Sequence, residues 1–545
     1  MSTGERHPLV SGTVVTSLGT LASRILGLVR DTATAALFGL AAGGVLDALV
    51  IAFRIPNLFR ALFGEGALTA SYLPIFTQAR QEHHEQGWQL FRATLKGLAI
   101  LLALVTLLVE VGIGVWAWLA KDDPQALLLA GLSAVLLPYL ILVCLTAIIS
   151  ATLQGLGRFA APAFAPAALN VCWILGAWWI APHASSNPVT QGYVLAGCIL
   201  LGGVVQWLVQ WPALRQAGFK IRKRDLPQKE QVRTQARVAD HLRHIRLGMI
   251  PTTLALTVTQ LNTLSDSLVA WILAAPKDGP YTISWLGNVR YPMQQGAAAA
   301  IYFGERLYQF PLGLIGIAAA TVAFPLLSQH AARGDRAALA EDLTLGLRMV
   351  LLAAVPSAVG LVVLAEPIAR LLFQHGRFTA DDAVRAAGMI AVYGAGVWAY
   401  CALPVLVRSF YAVGDRITPL RVALAAVVLN LALDFTLIWP LAEEGLAAAT
   451  AISAALQAVA LALLFSKHHV PLAWRKLTFT ALRACAASAA MGAAGALLLH
   501  ALPLSDGDWN ACLRAVAPVV AAVAVYGGVL ALVGRSEWAD FFGRK

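Results

Sequence analysis

Residues 126–153 read ALLLAGLSAVLLPYLILVCLTAIISATL and contain no charged side chain. An uncharged apolar run of this length is long enough to cross a bilayer as a helix. The whole chain agrees, because 59% of its 545 residues are hydrophobic and only 13% are charged, whereas about a quarter of a soluble domain is charged. The runs are too long and unbroken for a transmembrane β-barrel, whose strands alternate apolar and polar residues. We therefore predict an all-α integral membrane protein.

Breaks at polar and Pro/Gly-rich segments divide the chain into about fourteen predicted membrane spans. The predicted spans are 9–30, 44–78, 93–120, 126–153, 161–182, 191–214, 247–274, 298–330, 343–364, 382–412, 418–440, 445–466, 477–501 and 511–534. Alternate loops hold roughly two dozen Lys and Arg on one side and about four on the other, and basic loops stay in the cytoplasm. This asymmetry and the even number of spans predict that both termini are cytoplasmic.

The net charge of +11 follows from these basic loops, and no aromatic-basic stacking platform accompanies it, so we expect no nucleic-acid partner. The densest basic segment, 215–246, is interpreted as a cytoplasmic linker attracted to anionic lipid headgroups. The chain lacks the phosphate-loop, H-E-x-x-H and G-x-S-x-G patterns. The sequence therefore predicts a transporter without catalytic chemistry and without a bound cofactor.

Two short patterns recur in the same order along the chain. YLPIFTQ at 72–78 is matched by AFPLLSQ at 323–329, and GRFAAP at 157–162 by GDRITP at 414–419. The nearly constant offset predicts a parallel repeat of a six-helix unit, as in alternating-access transporters with a cavity between two lobes. The predicted domains are 1–214 (N-terminal lobe), 215–246 (basic linker), 247–466 (C-terminal lobe) and 467–545 (two additional spans and a short cytoplasmic tail).

Ionisable residues stand inside three predicted spans: Arg24, Arg30 and Asp31 in span 1, Asp47, Arg54, Arg60 and Glu65 in span 2, and Glu305 and Arg306 in span 8. Each costs at least about 2.5–3.5 kcal/mol at mid-membrane, so each needs a reason. Arg24, Arg60 and Arg306 have long apolar flanks and are predicted to face one water-filled cavity. The fixed donors of arginine suit phosphate oxygens, which favours an anionic, diphosphate-bearing substrate. For Arg30 and Asp31, headgroup contact or an adjacent ion pair is an equal alternative.

A second polar set consists of Asp266 in span 7, Asn430 and Asp434 in span 11, and Thr450 in span 12. Asn430 and Asp434 are four residues apart and share one face of a helix. Carboxylate, amide and hydroxyl oxygens suit a Na⁺ or proton-coupling site. A hydrogen-bonded contact between helices is the alternative.

Five stretches together resemble the MurJ (MviN) family: SRILGLVRD at 23–31, RIPNLFRALFGEGALTASYLPIF at 54–76, GERLYQFPLGLIGIAAATVAFPLLS at 304–328, FQHGRFTADDA at 373–383 and FYAVGDRITP at 410–419. The likeness extends over nearly the whole chain. That family belongs to the multidrug/oligosaccharidyl-lipid/polysaccharide exporter superfamily and flips lipid II, the undecaprenyl-diphosphate-linked peptidoglycan precursor. The resemblance implies a flippase of the bacterial cytoplasmic (inner) membrane that supports cell-wall synthesis. As a separate hypothesis, we expect the membrane potential or a cation to reset the carrier.

The resemblance also implies roles for single residues. The substrate-binding arginines would be Arg24, Arg30, Arg60 and Arg306. The orienting or gating residues would be Asp31, Asp47 and Glu65, and the sodium site would be Asp266, Asn430, Asp434 and Thr450. We add Glu305 to the predicted orienting or gating residues, because it directly precedes Arg306. Spans 13 and 14 would form a groove for the polyprenyl tail. Expected partners are lipid II and membrane lipids, with cell-wall polymerases as candidates.

Two features depart from the family pattern. The loop at 275–297 is enlarged, and Glu305 directly precedes Arg306, so it is expected to pair with this arginine and weaken its attraction for phosphate. Three alternatives stay open on the sequence alone. These are an exporter of another undecaprenyl-linked oligosaccharide, a cation-coupled multidrug antiporter, and a scaffold that binds a lipid-linked precursor without moving it.

Overall fold

The computed structural model describes residues 6–40, 44–64, 67–220, 228–276, 281–502 and 508–533. Nearly all of them are helical, which confirms the all-α prediction. Within this part of the chain, ten helices are long and apolar enough to cross a membrane, and the pair Ala380–Ala395 and Val397–Ala412, bent by 43°, adds an eleventh span. These eleven match predicted spans. The predicted spans 9–30, 44–78 and 247–274 lie outside that count, and their described residues are largely helical.

The helices divide into two compact units, residues 1–268 and 269–545. The helices of the first unit are α1 (Arg6–Phe38), α2 (Val45–Phe59), α3 (Ala67–Glu82), α4 (His84–Leu119), α5 (Pro124–Leu136), α6 (Tyr139–Gly155), α7 (Ala160–Leu175), α8 (Ala181–Ala184), α9 (Pro188–Gln216) and α10 (Gln228–Ile272), whose last residues belong to the second unit. A π-helical turn at Arg60–Gly64 follows α2, and another at Gly176–Ile180 joins α7 to α8.

Close packing of α1 on α7 organises the first unit. The two helices approach each other at Gly19, where an added Cβ would lie 2.6 Å from the Cβ of Ala163. Away from that contact, the fully buried rings of Tyr72, Phe76 and Trp88 join α3 to α4, with the Phe76 and Trp88 centroids 6.3 Å apart. The core of this unit therefore combines small residues at helix crossings with large aromatic rings between them.

The basic segment predicted as a linker at 215–246 is partly helical. From residue 228 it forms the beginning of α10, which continues without interruption into the predicted span 7, while 221–227 lie outside the described residues. No Gly or Pro separates residues 228 and 247, and Gln, Lys, Arg and Ala are good helix formers, so nothing ends the helix there. The boundary between the two units falls at residue 268, inside α10; the predicted lobe boundaries stay a prediction.

The second unit contains the remaining elements. They are β1 (Ala274–Ala275), β2 (Thr282–Ile283), β3 (Val289–Arg290), β4 (Met293–Gln294), α11 (Ala297–Pro311), α12 (Ala318–Arg333), α13 (Arg336–Val363), α14 (Ala365–Phe373), α15 (Ala380–Ala395), α16 (Val397–Ala412), α17 (Ile417–Leu441), α18 (Glu443–His468), α19 (Trp474–Ala501) and α20 (Asp508–Val533). A π-helical turn at Leu312–Ile317 joins α11 to α12.

Span 2 and span 8 are built in the same way. Each begins after a glycine in the left-handed region, Gly44 with φ 75° and Gly296 with φ 95°. Each continues as a helix of 15 residues, α2 and α11, and then passes into a π-helical turn. The spacing between the two sets is close to the offset of the sequence repeats, as a duplicated unit predicts.

The enlarged loop at 275–297 is folded through its described residues. β1 pairs with β4, and β2 pairs with β3. Arg385 of α15 holds the end of the loop, since its Nη1 donates to the carbonyl oxygen of Gln295 at 3.0 Å and its Nη2 lies 2.8 Å from the Glu443 carboxylate. The loop is therefore attached to α15 and α18 through one ion-paired arginine.

Candidate functional site

Arg30 lies on α1 against α7 and is buried with Asp31, the two being 7% and 4% exposed. Its Nη2 and Nε donate to Oδ1 of Asp31 at 2.7 and 3.0 Å, and its Nη1 donates to Oδ1 of Asn170 at 3.2 Å. The guanidinium carbon also lies 4.6 Å from the centre of the Trp173 ring. The adjacent ion pair that the sequence left as an alternative is thus present, and Asp31 orients Arg30 inside the first unit.

Arg24 lies less than two turns earlier on α1 and is exposed. Its side chain makes no hydrogen bond or ion pair with any residue that the structure describes. A guanidinium in this situation keeps its five donors for a ligand. α1 therefore carries one arginine whose donors are used within the protein, Arg30, and one exposed arginine, Arg24, whose donors can bind a ligand.

The first half of span 2 holds two buried charges. Asp47 is 2% exposed in the first turn of α2, where a carboxylate is stabilised by the positive end of the helix dipole. Arg54 is 8% exposed, and its Nη1 donates to the backbone carbonyl of Thr263 on α10 at 3.0 Å. Arg54 therefore joins α2 to α10 inside the first unit.

Arg60 begins the π-helical turn that follows α2 and is half-buried. Pro56 lies inside the preceding turn, and the Nε of Arg60 donates to Oδ1 of Asn57 at 2.9 Å. π-helical turns occur often at functional sites because they displace side chains from regular helical positions. Glu65, the fourth ionisable residue predicted for span 2, lies outside the described residues.

Arg306 of α11 is half-buried in the second unit. Its Nη2 donates to the hydroxyl of Tyr302 at 2.6 Å, its Nη1 donates to Oε1 of Gln309 at 3.3 Å, and the guanidinium carbon lies 4.5 Å from the centre of the Tyr302 ring. Glu305, the preceding residue, is 8% exposed. Neutral side chains thus position Arg306 from both directions along its helix.

The second polar set is divided between the two units. Asn430 and Asp434 are buried one turn apart on α17, and Nδ2 of Asn430 donates to Oγ1 of Thr450 on α18 at 3.4 Å. Asp266, 1% exposed on α10, belongs to the first unit. The second unit therefore gathers an amide, a hydroxyl and one carboxylate, which are hard oxygen ligands.

An apolar groove of about 670 Å³ lies in the second unit. Leu351 and Val359 of α13, Trp398 of α16, Ala458 of α18 and Leu477 of α19 are among the residues that line it. The resemblance assigned a groove to spans 13 and 14. Here α19 provides one wall, and α20 contributes none of the described lining residues.

Glu110 is an intramembrane charge that the sequence reading missed. It lies on α4, within the membrane-capable segment Glu85–Leu119, and is half-buried. No residue in the described part of the chain makes a hydrogen bond or ion pair with it. The signal was present in the sequence as a lone carboxyl in LLALVTLLVEVGIGVWAWL, and a carboxyl at such a depth is a candidate functional residue.

Membrane-spanning helices in two units, guanidinium groups within the spans and an apolar groove define a multi-pass membrane transporter. A family model described as lipid II flippase MurJ matches residues 34–508. The probable lipid II flippase MurJ of Vibrio cholerae serotype O1 is 34% identical and covers 98% of this chain and 97% of its own length. The lipid II flippase MurJ of Burkholderia cenocepacia is 31% identical over 81% of both chains. The chain therefore belongs to the MurJ family of lipid II flippases.

Solved structures show the same fold. Lipid II flippase MurJ in an inward closed conformation superposes with a TM-score of 0.71 at 21% identity, covering 97% of this chain and 99% of that one. An inward-facing multidrug resistance transporter of the MATE family reaches a TM-score of 0.59 at 12% identity, covering 87% of this chain. The all-α transporter fold predicted from the sequence is thus confirmed.

Proposed function

We propose that this protein moves lipid II from the cytoplasmic to the outer leaflet of the bacterial cytoplasmic membrane. The observation that carries the proposal is membership of the MurJ family over residues 34–508, combined with arginines inside the spans. Charged groups at this depth are retained where they act on a ligand or on each other. Lipid II carries a diphosphate, and guanidinium groups are suited to its oxygens.

In this proposal Arg24, Arg60 and Arg306 contact the diphosphate in a cavity that opens to the cytoplasm. Arg30 acts by positioning, because its donors are held by Asp31 and Asn170. Binding of the substrate neutralises the arginines, which favours closure of the cavity. The two lobes then rock and release the head group outside, and the membrane potential or a cation resets the carrier.

The polyprenyl tail is assigned to the apolar groove of the second unit. The groove lining is almost entirely aliphatic and aromatic, and its volume of about 670 Å³ suits a segment of a long hydrocarbon chain. Burial of such a chain contributes about 0.8 kcal/mol per CH₂ group. The tail would stay near the bilayer while the polar head crosses.

Cation coupling is assigned to Asp266, Asn430, Asp434 and Thr450. Their oxygen atoms are the ligand type that Na⁺ prefers, and Asn430 already contacts Thr450. We expect NaCl to raise the thermal unfolding midpoint of the purified protein relative to equimolar choline chloride. Asp434→Asn should remove that difference, and equal midpoints in the two salts for the unchanged protein would reject the sodium assignment.

Both termini are assigned to the cytoplasm, because the Lys- and Arg-rich loops lie on the side of the termini. A C-terminal fusion to green fluorescent protein should fluoresce, and a fusion to alkaline phosphatase should be inactive. The opposite pair of results would invert the topology.

Cell-wall polymerases are proposed partners, which crosslinking in cells would detect.

The decisive experiment is depletion of the protein in its own host. A membrane-impermeant enzyme that cleaves lipid II from outside then reports which leaflet holds it. We expect lipid II to accumulate and to become inaccessible. Unchanged accessibility with accumulation of another undecaprenyl-linked oligosaccharide would establish that exporter function instead. Loss of resistance to cationic dyes, with normal lipid II, would indicate a multidrug antiporter; a multidrug resistance transporter of the MATE family is among the structural neighbours.

A further inference from the structure

Glu110 lies at the boundary between the exposed and the buried face of α4. The apolar side chains on its exposed side, Leu107, Leu108 and Val111, are 62%, 74% and 58% exposed. On its buried side, one turn earlier, Thr106 is 8% exposed. Glu110 itself is half-buried, so its carboxyl can extend toward hydrocarbon or turn back toward the protein.

The depth of Glu110 in the membrane follows from its place on the helix. α4 ends at Leu119, about 14 Å further along the axis. Half of a hydrocarbon core of about 30 Å has nearly the same thickness. A span that ends where the hydrocarbon ends therefore places this carboxyl near the centre of the bilayer.

The basic residues of α4 are far from Glu110. Arg92 and Lys96 precede it on the helix, and the nearer of them is about 21 Å away along the axis. Lys121 follows the end of the helix, about 16 Å from Glu110 on the same scale. None of the three can neutralise a carboxylate at this position.

The helices that pack against α4 bring no charge to its apolar part. α3, α5 and α6 contact α4 most extensively, and α5 and α6 contain no charged side chain. Arg80 of α3 lies against Gly87, and His241 of α10 lies 3.3 Å from Nε2 of Gln86. Both contacts are in the first turns of α4, more than six turns from Glu110.

The neutral titratable groups of α3 and α6 already have hydrogen-bond partners. These contacts are Tyr72 with Thr152 at 2.9 Å, Tyr139 with Gln206 at 3.4 Å, and the thiol of Cys144 with the carbonyl oxygen of Phe59 at 3.6 Å. An ionised carboxylate in hydrocarbon without a counter-charge is costly, whereas a neutral carboxylic acid requires only a hydrogen-bond partner.

Thr106 can provide that hydrogen-bond partner. Its Oγ1 is buried and makes no hydrogen bond with any residue that the structure describes. Side chains four residues apart lie next to each other on a helix, so the acid of Glu110 can donate to this oxygen. Leaving a buried hydroxyl without a partner is unfavourable, which favours this contact.

We propose that Glu110 is a proton-binding site within the membrane. The protein carries Glu110 as the neutral acid in hydrocarbon, Thr106 holds that acid against α4, and the proton leaves when water reaches the carboxyl. One consequence rests on the proposed function: release and uptake of this proton accompany a step of the lobe movement, so that lipid II flipping depends on pH.

A carbodiimide that dissolves in the bilayer tests the proton site directly. Full-length protein in proteoliposomes is treated with dicyclohexylcarbodiimide at neutral pH. The proton of a carboxylic acid passes to a nitrogen of the reagent, the carboxyl oxygen adds to its central carbon, and the adduct rearranges to a stable N-acylurea. Peptide mass spectrometry follows this product at Glu110 and at the control carboxyl Glu85, which lies in the first turn of the same helix.

We expect Glu110 to react at least about tenfold faster than Glu85, and a water-soluble carbodiimide with glycine ethyl ester to reverse that order. Thr106→Val, which is similar in shape, should speed the reaction of Glu110 about two- to tenfold, because the acid loses its partner on α4. Reaction of Glu110 no faster than that of Glu85 would overturn the proposal. An unchanged rate in Thr106→Val would overturn the role given to Thr106.

Lipid II flipping in the same proteoliposomes tests the consequence for transport. We expect Glu110→Gln, which keeps a neutral side chain, to remove the pH dependence of flipping, while Glu85→Gln keeps it. The same pH profile in Glu110→Gln and the unchanged protein would reject the link to transport. Fast carbodiimide reaction of Glu110 in a protein that does not flip lipid II would keep the proton site and reject the proposed function.

Discussion

Arg24 and Arg30 lie on the same helix, α1, but the surroundings of their side chains are opposite. Arg30 is enclosed between α1 and α7, with its guanidinium divided between Asp31 and Asn170. Arg24 is exposed and makes no polar contact within the described residues. A buried, paired charge such as Arg30 stabilises the fold only while its partners remain. An exposed charge such as Arg24 can bind a ligand instead. Position in the membrane alone does not distinguish the two.

The largest effect is expected from breaking the buried pair. Arg30→Ala leaves the Asp31 carboxylate buried without its counter-charge, which costs about 3–5 kcal/mol. The thermal unfolding midpoint in detergent should fall accordingly, while Arg24→Ala should change stability by less than about 0.5 kcal/mol. The double variant Arg30→Met, Asp31→Leu should recover most of the loss. An equal loss in the double variant would mean that the pair is not the source of the effect.

The next effect concerns transport rather than folding. Arg60→Lys and Arg306→Lys keep the charge but remove the fork of donors, and one hydrogen bond to a charged group contributes about 1.5–3 kcal/mol. Lipid II flipping should therefore fall by about tenfold or more, with protein levels unchanged. Arg370→Lys is the control, since Arg370 forms an exposed pair with Glu366. Full activity of both variants would contradict the phosphate contact.

A smaller effect is expected where α1 meets α7. Gly19→Ala would place its Cβ 2.6 Å from Cβ of Ala163, and such overpacking costs about 1–3 kcal/mol. Gly112→Ala on α4 is matched in chemistry but meets no atom within 4 Å, and it should be neutral or stabilising by up to about 1 kcal/mol. The two unfolding midpoints in detergent test this difference. If the two midpoints shift alike, the close approach of α1 and α7 at Gly19 makes no specific contribution to stability.

The smallest effect is expected at Asp415 and His469, a pair at the surface that contrasts with the buried pair of Arg30 and Asp31. Asp415, in the turn between α16 and α17, accepts hydrogen bonds from the backbone N–H groups of Ile417 and Thr418 and lies 3.3 Å from Nε2 of His469. Burial raises the pKa of Asp415, but the hydrogen bonds from Thr418, His469 and Ile417 outweigh it and leave the pKa below its ordinary 3.8.

The sign of the pH effect follows from that direction. A lowered carboxyl pKa contributes stability that is present above the ordinary value and is lost as the pH falls through the lowered one. Asp415→Asn should therefore reduce the unfolding midpoint slightly at neutral pH and make the remaining loss between about pH 5 and pH 3 shallower. An identical acid profile in both proteins would show that Asp415 contributes nothing.

Sequence reasoning predicted the helical class and the positions of eleven of the fourteen spans, because apolar length is a local property of the chain. The division into two repeated lobes and the cytoplasmic termini stay predictions. Sequence reasoning left Arg30 undecided, since whether Asp31 or a headgroup holds the charge depends on Asn170 of another helix. It gave no sign that Arg54 reaches the backbone of Thr263, more than two hundred residues away.

The π-helical turns after α2 and α11 have a mechanical consequence. A π-helical turn holds one residue more than a regular α-helical turn. The position of this extra residue can shift along the helix when neighbouring backbone hydrogen bonds exchange partners. Every side chain that it passes rotates by about 100° around the helix axis. At Arg60, the first residue of its turn, that rotation would carry the guanidinium from one face of span 2 to another. The helical hydrogen bonds of α2 would exchange partners rather than break, so the charge could change direction without unfolding of α2 in the membrane.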